Sequence, residues 1–256
     1  MCVNSAYGDS DINKSLHPQD ANALALLYDV APSYTHSSII ANLVANWNAI
    51  GAVAPELPDN HVGLIQSLEA KAHLAVNDTM HGLDLIRRAW GWYLNHPSGT
   101  GSTFVEGYLS DGSFGYRAST AYGGDYSYTS HAHGWSTGPT EALTTYIAGL
   151  SFLEPGGAVW KIAPQFGDLE HAEAGFTNDR GRWHVKWEVS DSDYTVGWFV
   201  PRGTRGTIVL PSIGGRRPSV VIVDGRTVDE AEFGSADDGV VVLEAKSGRH
   251  VLAVQI

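Results

Sequence analysis

The apolar residues of this 256-residue chain change their period near residue 153, so one uniform architecture cannot accommodate both halves. Before that point they recur at helical spacing: Ile40, Leu43, Val44 and Trp47 in one run, Ile65, Leu68, Ala72 and Leu74 in the next, then Leu83, Leu85, Ile86, Trp90 and Tyr93. Helices are expected over 20–30, 37–50, 62–76, 79–94 and 137–150. Asp20 suits an N-cap of the first, Pro97 and Gly99 stop the fourth, and Pro139 stands in the first turn of the last. After Leu153-Glu154-Pro155-Gly156 the period becomes two, over 183–189, 194–200, 207–210, 219–223, 240–243 and 250–256. Gly-, Pro- and Asp-containing turns separate these runs. The expected fold is therefore α + β with two domains: helical hairpins over 1–152, and a small antiparallel, sandwich-like β-domain over 153–256.

Composition excludes several function classes. At 43% hydrophobic and 17% charged residues the chain can bury a real core. Its formal net charge of −12, with no basic stripe, speaks against nucleic acid and against anionic lipid surfaces as partners. One cysteine, Cys2, excludes an intrachain disulfide. The first residues lack the pattern of a signal peptide, and no apolar run is long enough to span a bilayer. The compartment stays open.

The connection over 95–136 carries the chemistry. It is rich in Gly, Ser, Thr and aromatic residues, and a connection this long inside a helical domain is more often functional than structural. Glu106 lies among Phe104, Val105 and Tyr108, surroundings that suit a carboxylate for general acid or base work; the bland reading is a Glu whose head reaches water. Asp111 and Asp125 stand on Gly-flanked turns, where Asp usually bonds its own backbone. His131 and His133 form an H-x-H pair that a strand would turn to one side. Zinc would need further ligands at readable spacing, and His81, His96 and His171 show none, so no metal is expected. Trp135 reads equally as a stacking platform or as packing beneath a helix start. Dinucleotide, P-loop, zincin and nucleophile-elbow motifs are absent.

Taken together, certain runs resemble the α-L-rhamnosidases of glycoside hydrolase family 78 in their order along the chain. They are H-P-Q-D-A-N from His17, E-A-K-A-H from Glu69, L-D-L-I-R-R-A-W-G-W-Y-L from Leu83, G-S-T-F-V-E-G-Y from Gly101, S-H-A-H-G-W-S-T-G-P-T from Ser130 and L-E-P-G from Leu153. The resemblance extends from about residue 12 to the C-terminus.

The resemblance implies the closing part of an (α/α)6 barrel followed by a β-domain, an inverting mechanism without cofactor or metal, and rhamnose-containing glycosides or polysaccharides as partners. It implies Glu106 as general base, His131 as a sugar contact, and Trp135 and Tyr108 as pocket residues. The family's acid-bearing segment, with its Arg-rich and Trp-Gly-Asp-containing motif, has no counterpart here. The expectation is thus a piece of a rhamnosidase lacking the general acid, which needs a missing N-terminal half or self-associates through an exposed apolar face. Three rivals stand beside it: a remnant that binds sugar without turnover, an assembly piece, and another α/α-toroid enzyme such as a lyase. A lyase acting on uronic acids would want basic residues around its pocket, and the connection offers only Arg117.

Overall fold

A computed structural model describes residues 16–117, 121–229, 234–235 and 241–256. The chain divides into two compact units between Thr140 and Glu141.

In the first unit α1 (Gln19–Leu27) and α2 (His36–Val44) pack their buried faces, Ala23, Leu26, Ile39 and Leu43, into one cluster with Ala72. The N-terminus of α1 is held from a distance: Glu56 accepts from the backbone N–H of Gln19 at 2.9 Å. Asp20, expected as the cap, lies inside the first turn instead. α2 stops before Trp47, which the spacing placed on a helix. Trp47 and Asn48 form β1 (Trp47–Asn48) against β2 (Gly51–Ala52), a hairpin tied by Asn48 Oδ1 to the N–H of Ile50 at 2.9 Å and opened by Gly51 at φ +132°. The central rod is α3 (Gly63–Ala75), which follows β3 (Asn60–Val62) directly. After it α4 (Thr79–Ile86) continues through a π-helical turn (Arg87–Gly91) into α5 (Trp92–Leu94), close to the expected 79–94. Among the described residues the chain then leaves helix until α6 (Gly138–Ala142) and a further π-helical turn (Leu143–Ile147), apart from β4 (Gly107–Leu109), which pairs antiparallel with β3, and short single turns.

The second unit contains β5 (Leu150–Phe152), β6 (Val159–Ile162), β7 (His171–Asn178), β8 (Gly181–Val189), β9 (Asp193–Val200), β10 (Arg205–Leu210), β11 (Val220–Val223), β12 (Arg226–Thr227), β13 (Gly234–Ser235), β14 (Val241–Ala245) and β15 (Gly248–Gln255). They form a sheet of order β13-β14-β10-β6-β5 and another of order β12-β11-β15-β9-β8-β7. The period-two runs do what alternation predicts: Trp183, Val185 and Trp187 on β8, and Tyr194, Val196, Trp198 and Val200 on β9, are all buried on a shared face. Pairing is antiparallel except between β6 and β10, which run parallel, a departure from the expected antiparallel domain. That pair places Gly206 opposite Trp160, and a Cβ on Gly206 would lie 2.2 Å from the indole ring. Only glycine lets the ring lie flat on the neighbouring strand. The expected strand over 240–243 begins outside the described residues at Val240; the rest of it lies in β14.

No helix among the described residues is long and apolar enough to cross a membrane.

Candidate functional site

The connection over 95–136 folds back on itself so that two of its irregular stretches lie side by side. His133 N–H donates to Phe104 O at 2.8 Å, and Glu106 N–H donates to Ser130 O at 2.7 Å. The hydroxyl of Ser136 donates to Val105 O at 2.7 Å, and the indole of Trp135 donates to Glu106 O at 3.2 Å. The start of α3 closes the third side: Gly63 N–H reaches Glu106 O at 3.3 Å, and a Cβ on Gly63 would sit 2.1 Å from Ser136 Oγ. Nearly every bond holding this layer has at least one backbone partner, as backbone without a ladder must be satisfied piecemeal.

Glu106 is buried, with 7% of its side chain exposed, and its carboxylate is oriented from two sides. The Tyr122 hydroxyl donates to Oε1 at 2.9 Å, and Ser130 N–H donates to Oε2 at 3.3 Å. The hydrogen bond to Glu106 raises the Tyr122 phenol above its ordinary value, so it stays protonated as a donor. Nδ1 of His133 lies 3.9 Å from Oε2, and its ring sits 4.0 Å from that of Trp135, which is 38% exposed. An ionised carboxylate offers about four lone-pair sites. Two donors fix its plane and leave acceptor capacity for a water.

The sequence-predicted residues divide. Glu106 and Trp135 come together. His131 and His133 are not on a strand and do not face one way. The His131 ring turns to the aromatic cluster, with Nδ1 at 3.3 Å from the Tyr93 hydroxyl and its ring in a T-shaped contact with Phe114 at 4.5 Å. Burial, helped by His96, lowers its pKa and favours the neutral ring. Tyr108 lines a small enclosed space with Gln66, Tyr93 and Phe104. It is 3% exposed, stacked on His61 at 4.6 Å and against Trp92 at 4.3 Å, and its hydroxyl donates to Ile50 O at 2.6 Å. Its ring thus meets His61 of β3 and Trp92 of α5. Asp111 and Asp125 hold their own turns through the N–H groups of Ser113 and Ser127, at 2.8 and 2.9 Å. Hydrogen bonds from those serines keep both carboxyls below the usual range, the wrong direction for a general acid. Tyr122 and His133 are the additions that the structure makes. His133 was legible as half of the H-x-H pair; nothing local marks Tyr122 among eleven tyrosines.

Residues 149–222 match the bacterial alpha-L-rhamnosidase C-terminal domain family. Solved structures agree over most of the chain. The α-L-rhamnosidase of Dictyoglumus thermophilum aligns with 96% of it at a TM-score of 0.73 and 15% identity. The fold is that of the family 78 α-L-rhamnosidases. The Streptomyces avermitilis α-L-rhamnosidase, solved with L-rhamnose, aligns with 93% of the chain at 0.68 and 20% identity, and the Aspergillus terreus α-L-rhamnosidase with 95% at 0.60 and 22%. The chain spans about a quarter of those rhamnosidases, 26%, 21% and 26% of their lengths in the same order. No curated protein sequence matches it. Glu106 and its neighbours lie outside the stretch that matches the rhamnosidase C-terminal domain.

Proposed function

We propose that this chain is the part of an inverting α-L-rhamnosidase that carries the general base, Glu106, and that its helices are the closing portion of an (α/α)6 barrel. The observation that carries the reading is the Glu106 carboxylate itself: buried, fixed by Tyr122 and Ser130, and flanked by His133 and the half-exposed Trp135. In the reaction Glu106 takes a proton from a water whose oxygen bonds to the anomeric carbon. The glycosidic C–O bond breaks on the opposite face, and the leaving oxygen takes a proton from a second carboxylic acid. Inverting enzymes hold the two carboxyl groups about 6.5–9.5 Å apart to leave room for that water. Asp111 and Asp125 hold their own turns, so neither serves as the acid in this reading. Trp135 offers an aromatic face for the C–H face of rhamnose. His133, which stands beside the carboxylate, takes the sugar hydrogen bond that the resemblance gave to His131.

The commitment of Asp111 and Asp125 to their turns also favours a second reading, in which the chain alone binds sugar or completes a barrel without turnover. Hydrolysis of an aryl α-L-rhamnoside by the purified chain, with the product anomer followed by NMR, separates the two. Release of β-L-rhamnose means an inverting enzyme with an acid in this chain. No release from folded protein means that the base and the acid reside in separate pieces.

A further inference from the structure

The other end of α3 holds a second cluster. α3 ends at Ala75, Asn77 reverses the chain at φ +61°, and Asp78 precedes α4. The turn brings His73, Asp78 and His81 together. Nδ1 of His73 lies 2.7 Å from Asp78 Oδ2, Nδ1 of His81 lies 2.9 Å from both Asp78 oxygens, and one ligand atom from each of the three lies within 4.8 Å of the others. Trp47 walls the group edge-on, its ring 5.5 Å from His73 and 5.8 Å from His81. The His73 side chain is fully buried, Asp78 is 19% and His81 41% exposed, so the cluster opens to solvent on the His81 side, where a groove runs past Val44 and Ile40.

A neutral His73 bonds through only one of its ring nitrogens. With its proton on Nδ1 it satisfies Asp78, but Nε2 is then a buried nitrogen without a hydrogen-bond partner, 3.6 Å from Glu69 Oε1. Glu69 is itself fully buried and already accepts from the Trp47 indole at 2.6 Å. Moving the proton to Nε2 points it at Glu69 and frees the Nδ1 lone pair toward Asp78 and His81. A carboxylate behind the far nitrogen of a ligating imidazole is the usual outer support of a metal-bound histidine.

We propose that His73, Asp78 and His81 bind a divalent transition metal of the zinc type, with water completing a four-coordinate site. Two imidazoles and one carboxylate suit zinc; calcium and magnesium would want oxygen ligands throughout. On binding, the two Nδ1 lone pairs and one Asp78 oxygen replace the Nδ1–H hydrogen bonds, and His73 Nε2–H donates to Glu69. Ten residues of helix, about 15 Å at the helical rise, separate His73 from Gly63 beside Glu106. The ion therefore clamps the α3–α4 hairpin and has no part in sugar chemistry, and the site stands whether or not Glu106 is a general base.

The test is calorimetric titration of the metal-free chain with zinc, repeated with cobalt and read by absorption. One saturable equivalent is expected, with cobalt giving tetrahedral d–d bands and no thiolate charge transfer, which separates this site from Cys2. His81→Ala and Asp78→Asn should each weaken zinc by about 10–100-fold or more. His81 is partly exposed, so that variant should keep the parent's circular dichroism, and His81→Gln repeats the test with the side-chain volume kept. His250→Ala should bind as the parent does, because His250 meets Asp224 without a second imidazole. Absence of saturable zinc binding, or unchanged affinity in both His81 variants and Asp78→Asn, would overturn the proposal.

Discussion

In the second unit the largest fully buried side chains, Trp160, Trp183, Trp187 and Tyr194, come from strands in regular ladders, and their burial follows the period of the sequence. Around Glu106 the first unit has short pairings and side-chain-to-backbone bonds, and a buried carboxylate. The β-unit resembles a core built for stability. The loop layer holds one charged group in one orientation, an arrangement worthwhile only if the group has work to do. Changes in the first should be felt in folding, and changes in the second in chemistry.

The largest effect should fall on chemistry. In a protein that carries the whole catalytic domain, Glu106→Gln keeps the shape and the acceptor oxygen but removes the carboxylate proposed as the base. Turnover of an aryl rhamnoside should drop by about 10²–10⁴-fold, with rhamnose affinity within about tenfold of the parent. Near-normal turnover would remove Glu106 from the mechanism.

Trp187→Ala should show the opposite signature. The indole is 1% exposed, packs against Phe166 at 4.7 Å and donates to Ile147 O at 2.8 Å. A loss of about 3–5 kcal/mol in denaturant unfolding is expected. A loss below about 1 kcal/mol would mean that the β-unit is not the tightly packed partner in this comparison.

The pH dependence of stability sharpens the contrast from within the first unit. Burial lowers the His61 pKa from 6.5 to about 4. The folded state therefore binds fewer protons than the unfolded chain, and the contribution is present above about pH 6.5 and lost as pH falls toward 4. It amounts to about 3 kcal/mol across that window. His61→Phe, which keeps the stack on Tyr108, should flatten the slope; an unchanged slope assigns it to other groups.

Gly63→Ala should cost about 1–3 kcal/mol, because the new Cβ would meet Ser136 Oγ at 2.1 Å. Adding Ser136→Gly should recover part of that, though it forfeits the hydroxyl bond to Val105 O. No recovery would mean that the two stretches are not in the contact seen here.

Much of the fold was legible because period is a local property. Four of the five expected helices and the strands near 183–189 and 194–200 follow from it with small shifts at their ends. Trp47 escaped because Asn48 and Gly51 form a hairpin that helical spacing cannot register. β5, β6 and β7 escaped because their alternation is weak or their buried partners lie far along the chain, as Gly206 does for Trp160. At the site, Glu106 stood out as a carboxylate among apolar residues. Which histidine of the H-x-H pair stands beside Glu106, and the approach of Tyr122, could not be read, since each depends on how an irregular loop folds back. The H-x4-D-x2-H spacing of His73, Asp78 and His81 spans a helix end, where neither the helical nor the strand period brings residues together.

The smallest effect tests the loop layer most directly. Tyr122→Phe removes one hydroxyl, the 2.9 Å donor to Glu106 Oε1, and leaves a ring that packs near Tyr128 at 5.7 Å. Tyr122 is only half-buried, so unfolding should move by less than about 1 kcal/mol. Turnover in the complete enzyme should still fall by about tenfold with KM nearly unchanged, since one of the two donors that fix the carboxylate plane is gone while the sugar contacts remain. A merely structural tyrosine would show the reverse, a lower Tm with kcat intact. That result would place the orientation of Glu106 on Ser130 and the backbone alone, and the loop layer would then differ from the β-unit in its means of packing but not in its purpose.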